Sequence, residues 1–307
     1  MPAQEQDSRG PSPGAPLSGP SADDSASLAP TLIGCGAILL WASLAPLTVL
    51  KGSLPPFQTT AITFAVGGLC IALTALVRGR AHAIRPTGPS LLLGLYGLMV
   101  YHTIYFAALG LAPAAEAHLV NSLWALFIVL FSALLPGHRL SLRHAVGAFL
   151  GLGAAALLVV QKLSGIPPGA GAQAGFLLAF AAALVWSSYS VASRLFASVP
   201  SESLAVPALL TSVLAAAISA TIETWTPPAG ATAWIALVAM GLGPVGGAFV
   251  LWDIGMKRGR VATLGVLSYA SPVLSTLLLV ATGMSEGSLA LWAACAMMTV
   301  AGILATR

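Results

Sequence analysis

Charge is what this chain has least of. Its 307 residues hold 13 Lys or Arg and 9 Asp or Glu, so charged side chains make up 7%, against about a quarter in a soluble domain. That is too few to build a polar shell around a core in water. The net charge of +4 is not gathered into any basic patch, and no nucleic-acid partner is expected. Cysteine is scarce too. Cys35, Cys70 and Cys295 all lie inside apolar runs with no ligand-like spacing, which argues against a disulfide frame or a metal site. There is no HExxH, and Asp253 is the one aspartate in or beside an apolar run. An intramembrane metalloprotease or aspartyl protease therefore has no motif to rest on. No filter sequence or ring of charges suggests a channel. No enzyme activity and no cofactor are expected.

What the chain has in abundance is apolar length. Hydrophobic residues are 57% and the mean hydropathy is +0.92, so the solvent is expected to be mostly lipid. Residues 1–30 are the exception. They are rich in Pro, Gly, Ser and Asp without an apolar run, and are read as a disordered tail. Beyond them, charges and turn residues cut the chain into ten runs near 31–50, 56–77, 90–111, 114–135, 145–161, 173–193, 203–223, 233–253, 261–282 and 288–305. Each approaches the roughly 20 residues that a helix needs to cross the hydrocarbon core. Lys and Arg assign the sides. With the N-terminus inside, eleven fall in the cytoplasm and only Lys51 and Lys162 outside, as the positive-inside rule requires. Both termini are then cytoplasmic.

The two halves echo each other. Leu39-Leu-Trp-Ala-Ser43 resembles Leu184-Val-Trp-Ser-Ser188, and Glu116–Leu134 lines up with Thr263–Ala281, at offsets close to 146 residues. Five spans per unit is an odd number, so the second unit must enter the membrane in the opposite sense. The expected fold is an all-α membrane protein: ten transmembrane helices as two inverted five-helix repeats, residues 31–165 and 173–307. Inverted repeats are a transporter architecture with the substrate near the midplane.

Several motifs carry a family resemblance over about residues 31–305: Thr31-Leu-Ile-Gly with Trp41, Leu119-Val-Asn-Ser-Leu-Trp124, Trp252-Asp-Ile-Gly-Met-Lys, and Gly265-Val-Leu-Ser-Tyr-Ala-Ser-Pro272. Together the chain resembles the drug/metabolite transporter superfamily with paired EamA-type domains, and within it the bacterial aromatic amino-acid exporters of the YddG type. The resemblance implies ten helices, export of amino acids or similar metabolites, a bacterial inner-membrane location and a central cavity open alternately to each side. One departure is plain. Relatives have proline after the tryptophan of the fourth span, where this chain has Ala125, and only Pro272 is kept.

Mid-depth residues that lipid would not choose define the candidate site. Trp225, Trp234 and Trp292 fall at span ends and suit an interfacial belt. Trp41, Tyr101, Trp124, Trp186 and Tyr269 fall near span centres, with Tyr105 and Tyr189 a turn away. Tyr101 and Tyr105 share a helix face beside His102; His118, Asn121 and Trp124 recur every three residues; Ser268 lies next to Tyr269. Each alone suits helix packing, but in corresponding places of both halves they suggest an aromatic-lined cavity. Aromatic faces take apolar side chains and ammonium groups, while Asn, Ser, Tyr and His can meet a carboxylate. The expected substrate is an amino acid, with a hydrophobic cation or drug as the alternative. Gly243, Pro244, Gly246 and Pro272 are candidate hinges. His102 and Glu116 are candidates for weak proton linkage, with facilitated diffusion the expected mode. Asp253, beside Lys257 and Arg258, is read as an ordinary interfacial ion pair. The partners are then a small-molecule substrate and the bilayer. Oligomeric state is left open, and a monomer satisfies every feature.

Overall fold

Helices dominate because these segments offer the backbone no other partner in lipid, where each N–H and C=O must be satisfied within its own segment. The computed structural model describes residues 22–112, 114–135, 141–160, 171–284, 287 and 289–306. Among the described residues there is no strand, and seven helices are long and apolar enough to cross a membrane. In chain order the helices are α1 (Ala22–Ala42), α2 (Leu44–Lys51), α3 (Pro56–Val77), α4 (Gly88–Leu111), α5 (Ala114–Asn121), α6 (Leu123–Ser132), α7 (Leu142–Val160), α8 (Ala172–Phe196), α9 (Ser201–Ile222), α10 (Gly230–Arg258), α11 (Val261–Leu267), α12 (Ala270–Ala281) and α13 (Leu289–Thr306). Many are apolar all round. Leu39, Val77, Leu92, Leu177, Ile235 and Leu289 point outward, as do Trp225, Trp234 and Trp292. This is the surface of helices solvated by hydrocarbon.

Local chemistry sets the ends. Pro55 and Pro56 precede and open α3, where a missing N–H costs nothing. Thr87 accepts from the Ser90 N–H to cap α4. Gly79, at φ 67°, closes α3 in the left-handed conformation that a glycine adopts without strain. α1 starts at Ala22, inside the segment expected as a tail. Residues 1–21 lie outside the described residues.

Three mid-helix breaks share one cause. At Ser43 between α1 and α2, Ser122 between α5 and α6 and Ser268 between α11 and α12, the serine hydroxyl donates to a carbonyl of the preceding turn: Leu40 at 2.7 Å, His118 at 2.9 Å and Gly265 at 2.6 Å. Such bonds compete with the helical ladder and bend it. Pro272 lies in the first turn of α12, downstream of its break. The fourth and ninth spans are thus interrupted alike, at positions 146 residues apart, although only one carries a proline. Two helices also widen into π turns, Tyr96–Val100 in α4 and Gly241–Gly247 in α10.

Among the larger packing pairs are α3 against α9, α7 against α13, α6 against α11, α1 against α10, and α4 against α8; α8 also packs against α6, and α3 against the π turn of α10. Small residues allow the closest approaches. A Cβ on Gly34 would lie 3.1 Å from the Gly255 Cα, and one on Gly67 2.8 Å from the Gly241 carbonyl oxygen.

The eighth span runs farther than expected. α10 continues to Arg258, so Asp253 lies more than a turn inside it, and Asp253 and Lys257 are 3% and 7% exposed. The pair is buried between helices, which corrects the interfacial reading. Its cause is the packing of this end of α10 against α1 and the turns flanking the α8–α9 connection.

Candidate functional site

The breaks and π turns deliver aromatic side chains to one place. Trp41 precedes the break at Ser43, Trp124 follows the break at Ser122, and Tyr101 and His102 follow the π turn of α4. Trp41 is the hub. Its ring centroid lies 6.3 Å from Trp124, 5.8 Å from Trp186, 6.3 Å from Phe249 and 5.1 Å from Trp252. Its indole N–H donates to the Pro244 carbonyl at 2.9 Å, which ties the first half of the chain to the π turn of α10. Most of these rings meet edge-on or tilted, the arrangement the ring quadrupole favours, each pair contributing about 0.5–1.5 kcal/mol.

A polar arm runs from this cage. Tyr101 lies 5.2 Å from Trp186 and stacks on Tyr105 at 5.8 Å. The Asn121 amide donates to the Tyr101 hydroxyl at 3.1 Å, and the Tyr105 hydroxyl lies 2.8 Å from His118 Nδ1. Asn121 is 2% exposed, and its Oδ1 has no hydrogen-bond partner. An unmet buried acceptor is costly, about 1–3 kcal/mol. His102 packs against Phe64 at 5.0 Å and Phe106 at 5.9 Å. Its Nδ1 lies 2.5 Å from the Leu98 carbonyl. A carbonyl only accepts, so Nδ1 carries a proton. Tyr189 lies 5.4 Å from Trp186 and fits over Gly97, where a Cβ would come within 2.1 Å of the tyrosine ring.

Of the residues singled out from sequence, Trp41, Tyr101, His102, Tyr105, His118, Asn121, Trp124, Trp186 and Tyr189 form this one network. Ser268 and Tyr269 are not part of it. Both are buried, Ser268 bonded to its own preceding turn, and Tyr269 lies over Gly151 and accepts from the Leu126 N–H at 3.1 Å. Tyr269 belongs to a second core with Ala125, Val129 and Ala148, because the break at Ser268 turns it toward α6 and α7. Glu116 belongs to α5, and its side chain lies outside the described residues. Gly243, Pro244 and Gly246 fall in the π turn. Three cage members were not expected: Phe64, Phe249 and Trp252, the last donating to the Ser190 hydroxyl at 3.1 Å. The spacing of Phe249 and Trp252 on one helix, with Trp252 in a motif already notable, was the available clue.

Comparison with known proteins gives a consistent result. The model of the EamA-like transporter family matches residues 29–160 and again 173–307. The chain is 49% identical over 277 residues to the aromatic amino acid exporter YddG of Ancylobacter novellus, covering 90% of this chain and 96% of that one. It is 27% identical over 290 residues to the aromatic amino acid exporter YddG of Salmonella typhimurium, covering 89% and 95%. A crystal structure of a protein 49% identical to this chain has a TM-score of 0.87, covering 91% of this chain and 96% of the other.

Proposed function

This chain belongs to the EamA-like transporter family, and from that premise we propose that it exports amino acids, aromatic and hydrophobic ones among them, by alternating access around the tryptophan cage. The observation that carries the reading is the convergence of Trp41, Trp124, Trp186 and Trp252, from both halves of the chain, beside the unmet Asn121 Oδ1. The rings offer faces to an apolar side chain and to an ammonium group. Asn121 Oδ1 is an acceptor for that ammonium, and the Tyr101 and Tyr105 hydroxyls can turn toward a carboxylate. No Arg or Lys stands in the cage to favour a phosphate ester. The bound solute is released by rearrangement, and no bond is made or broken.

In this reading ten spans form two inverted halves in the bacterial inner membrane, with both termini in the cytoplasm. The two family matches, one per half, support the repeat. So does the packing: advancing each span by five turns the pair α1–α10 into α8–α4 and returns α3–α9, α7–α13 and α6–α11 to themselves. The two π turns and the breaks at Ser122 and Ser268 also recur about 146 residues apart. They are the hinges about which the halves rock, with Pro272 stiffening one of them.

The test is counterflow. Proteoliposomes holding the purified protein are preloaded with one unlabelled amino acid, and entry of labelled phenylalanine is followed. Saturable entry accelerated by the internal amino acid supports a carrier and ranks its substrates. No acceleration with any amino acid, but acceleration with a hydrophobic cation, replaces this reading with cation export.

A further inference from the structure

Below the cage on α10, a second polar site is already assembled. Phe249, Asp253 and Lys257 recur every four residues along one face, so a path leads from the cage to the charges without leaving the helix. The Asp253 carboxylate lies 2.7 Å from the Lys257 ammonium. It also accepts from the Ser201 hydroxyl at 2.6 Å, while Lys257 donates to the Val199 carbonyl at 2.9 Å. Val199 lies in the connection from α8 to α9 and Ser201 opens α9, so the pair pins that corner to α10. Between the pair and Tyr189 of the cage is a hollow of about 20 Å³, with Ser90, Ser193 and Ser203 among its walls. That is room for about one water molecule.

Two buried charges cost more in desolvation than their attraction commonly returns, so packing alone gives them little reason to exist. Nor does the architecture demand them, since the residues 146 positions earlier are Ala107 and Leu111.

We propose that the Asp253–Lys257 pair is a second substrate subsite, occupied alternately with the cage, that exchanges its internal ion pair for the zwitterionic head of an amino acid. The substrate ammonium takes the place of Lys257 on Asp253, and the substrate carboxylate takes the place of Asp253 on Lys257. Every buried charge stays compensated. An amine without a carboxylate, or an acid without an ammonium, leaves one protein charge unmet and is rejected at this point. The inference rests on the amino-acid reading above and adds to it where the head group is selected.

The test compares labelled phenylalanine with 2-phenylethylamine, which has the same ring but no carboxylate, in counterflow with purified protein in liposomes. Wild-type protein favours phenylalanine. In Asp253→Leu combined with Lys257→Met the ratio of phenylalanine to amine flux falls by about tenfold or more, while amine flux stays within about threefold of wild type. A merely structural pair would lower both fluxes together. Lys257→Arg, which keeps the charge and a donor toward the Val199 carbonyl, keeps the wild-type preference within about threefold. An unchanged ratio in the uncharged variant overturns the subsite, as does loss of preference in Lys257→Arg. Trp124→Ala is the control for the cage: it lowers both fluxes. Wild-type liposomes that counterflow neither compound overturn the amino-acid reading and the subsite with it.

Discussion

Two seams of this molecule do the same architectural job with different chemistry. Around the C-terminal end of α10, where α1, α8 and the α8–α9 connection meet it, the seam is laced with charge and hydrogen bonds. Besides the Asp253–Lys257 pair, Arg194 donates to the Met256 and Gly259 carbonyls, and the Arg260 N–H donates to the Thr31 hydroxyl. Where the C-terminal end of α4 meets the N-terminal part of α8, the seam is alanine. Ala108, Ala112, Ala172 and Ala179 are buried there, and a Cβ on Gly175 would come within 2.6 Å of Ala112. An ionic seam is specific and stiff, because separating it exposes or strands charges. An alanine seam gains only dispersion and can part or slide with little penalty. The difference shows that a repeated fold need not have matched ends.

The comparison can be broken most forcefully by stranding one charge. Asp253→Asn or Lys257→Met alone leaves an uncompensated buried partner and should cost about 3–5 kcal/mol of stability, whereas removing both charges should cost far less. Thermal unfolding of the purified variants in detergent checks this, and equal losses for single and double variants would remove the ionic seam as a distinct element. Next in size is overpacking. Gly175→Val on the alanine seam and Gly97→Ala beneath Tyr189 should each destabilise by about 1–3 kcal/mol. Only Gly97→Ala should also depress phenylalanine counterflow in correctly inserted protein, because it moves a cage residue. Trp124→Ala should reduce counterflow by about tenfold, about 1.4 kcal/mol, at unchanged membrane abundance. A normal rate would separate the cage from transport. The smallest effect belongs to the serine breaks: Ser122→Ala and Ser268→Ala should each change stability by no more than about 1 kcal/mol. A much larger change for one than for the other would show that the fourth and ninth spans bend for different reasons. Finally, His102→Gln should preserve counterflow and flatten its dependence on pH. An unaltered pH profile would eliminate proton linkage through this ring.

The sequence was most informative where physics is one-dimensional. Apolar length and turn residues located the helical runs, and the aromatic residues at mid-run, from Trp41 to Tyr189, converge as the pattern suggested. It was least informative about direction around the helix axis. Tyr269 has the same composition-level credentials as Tyr101, yet the hydroxyl of Ser268 bends the chain and sends that ring to another core. Phe64 and Phe249 look like any lipid-facing phenylalanine until the packing partner is known. The burial of Asp253 was illegible for a related reason. Charge near the end of an apolar run reads as surface, and only the π turn and the length of α10 place it inside.

The π turn of α4 has a consequence for how such a chain can vary. A π turn differs from an α turn by a single residue. Losing that one residue would let α4 wind regularly with all that follows facing nearly as it does now, whereas losing one from a regular turn of the helix would rotate the rest by about 100°. Tyr101, His102 and Tyr105 therefore keep their aim at Trp186 through a one-residue loss at the π turn, but not through one in the regular part of the helix. The π turn is therefore a place where α4 can lose a residue without dispersing the aromatic cluster.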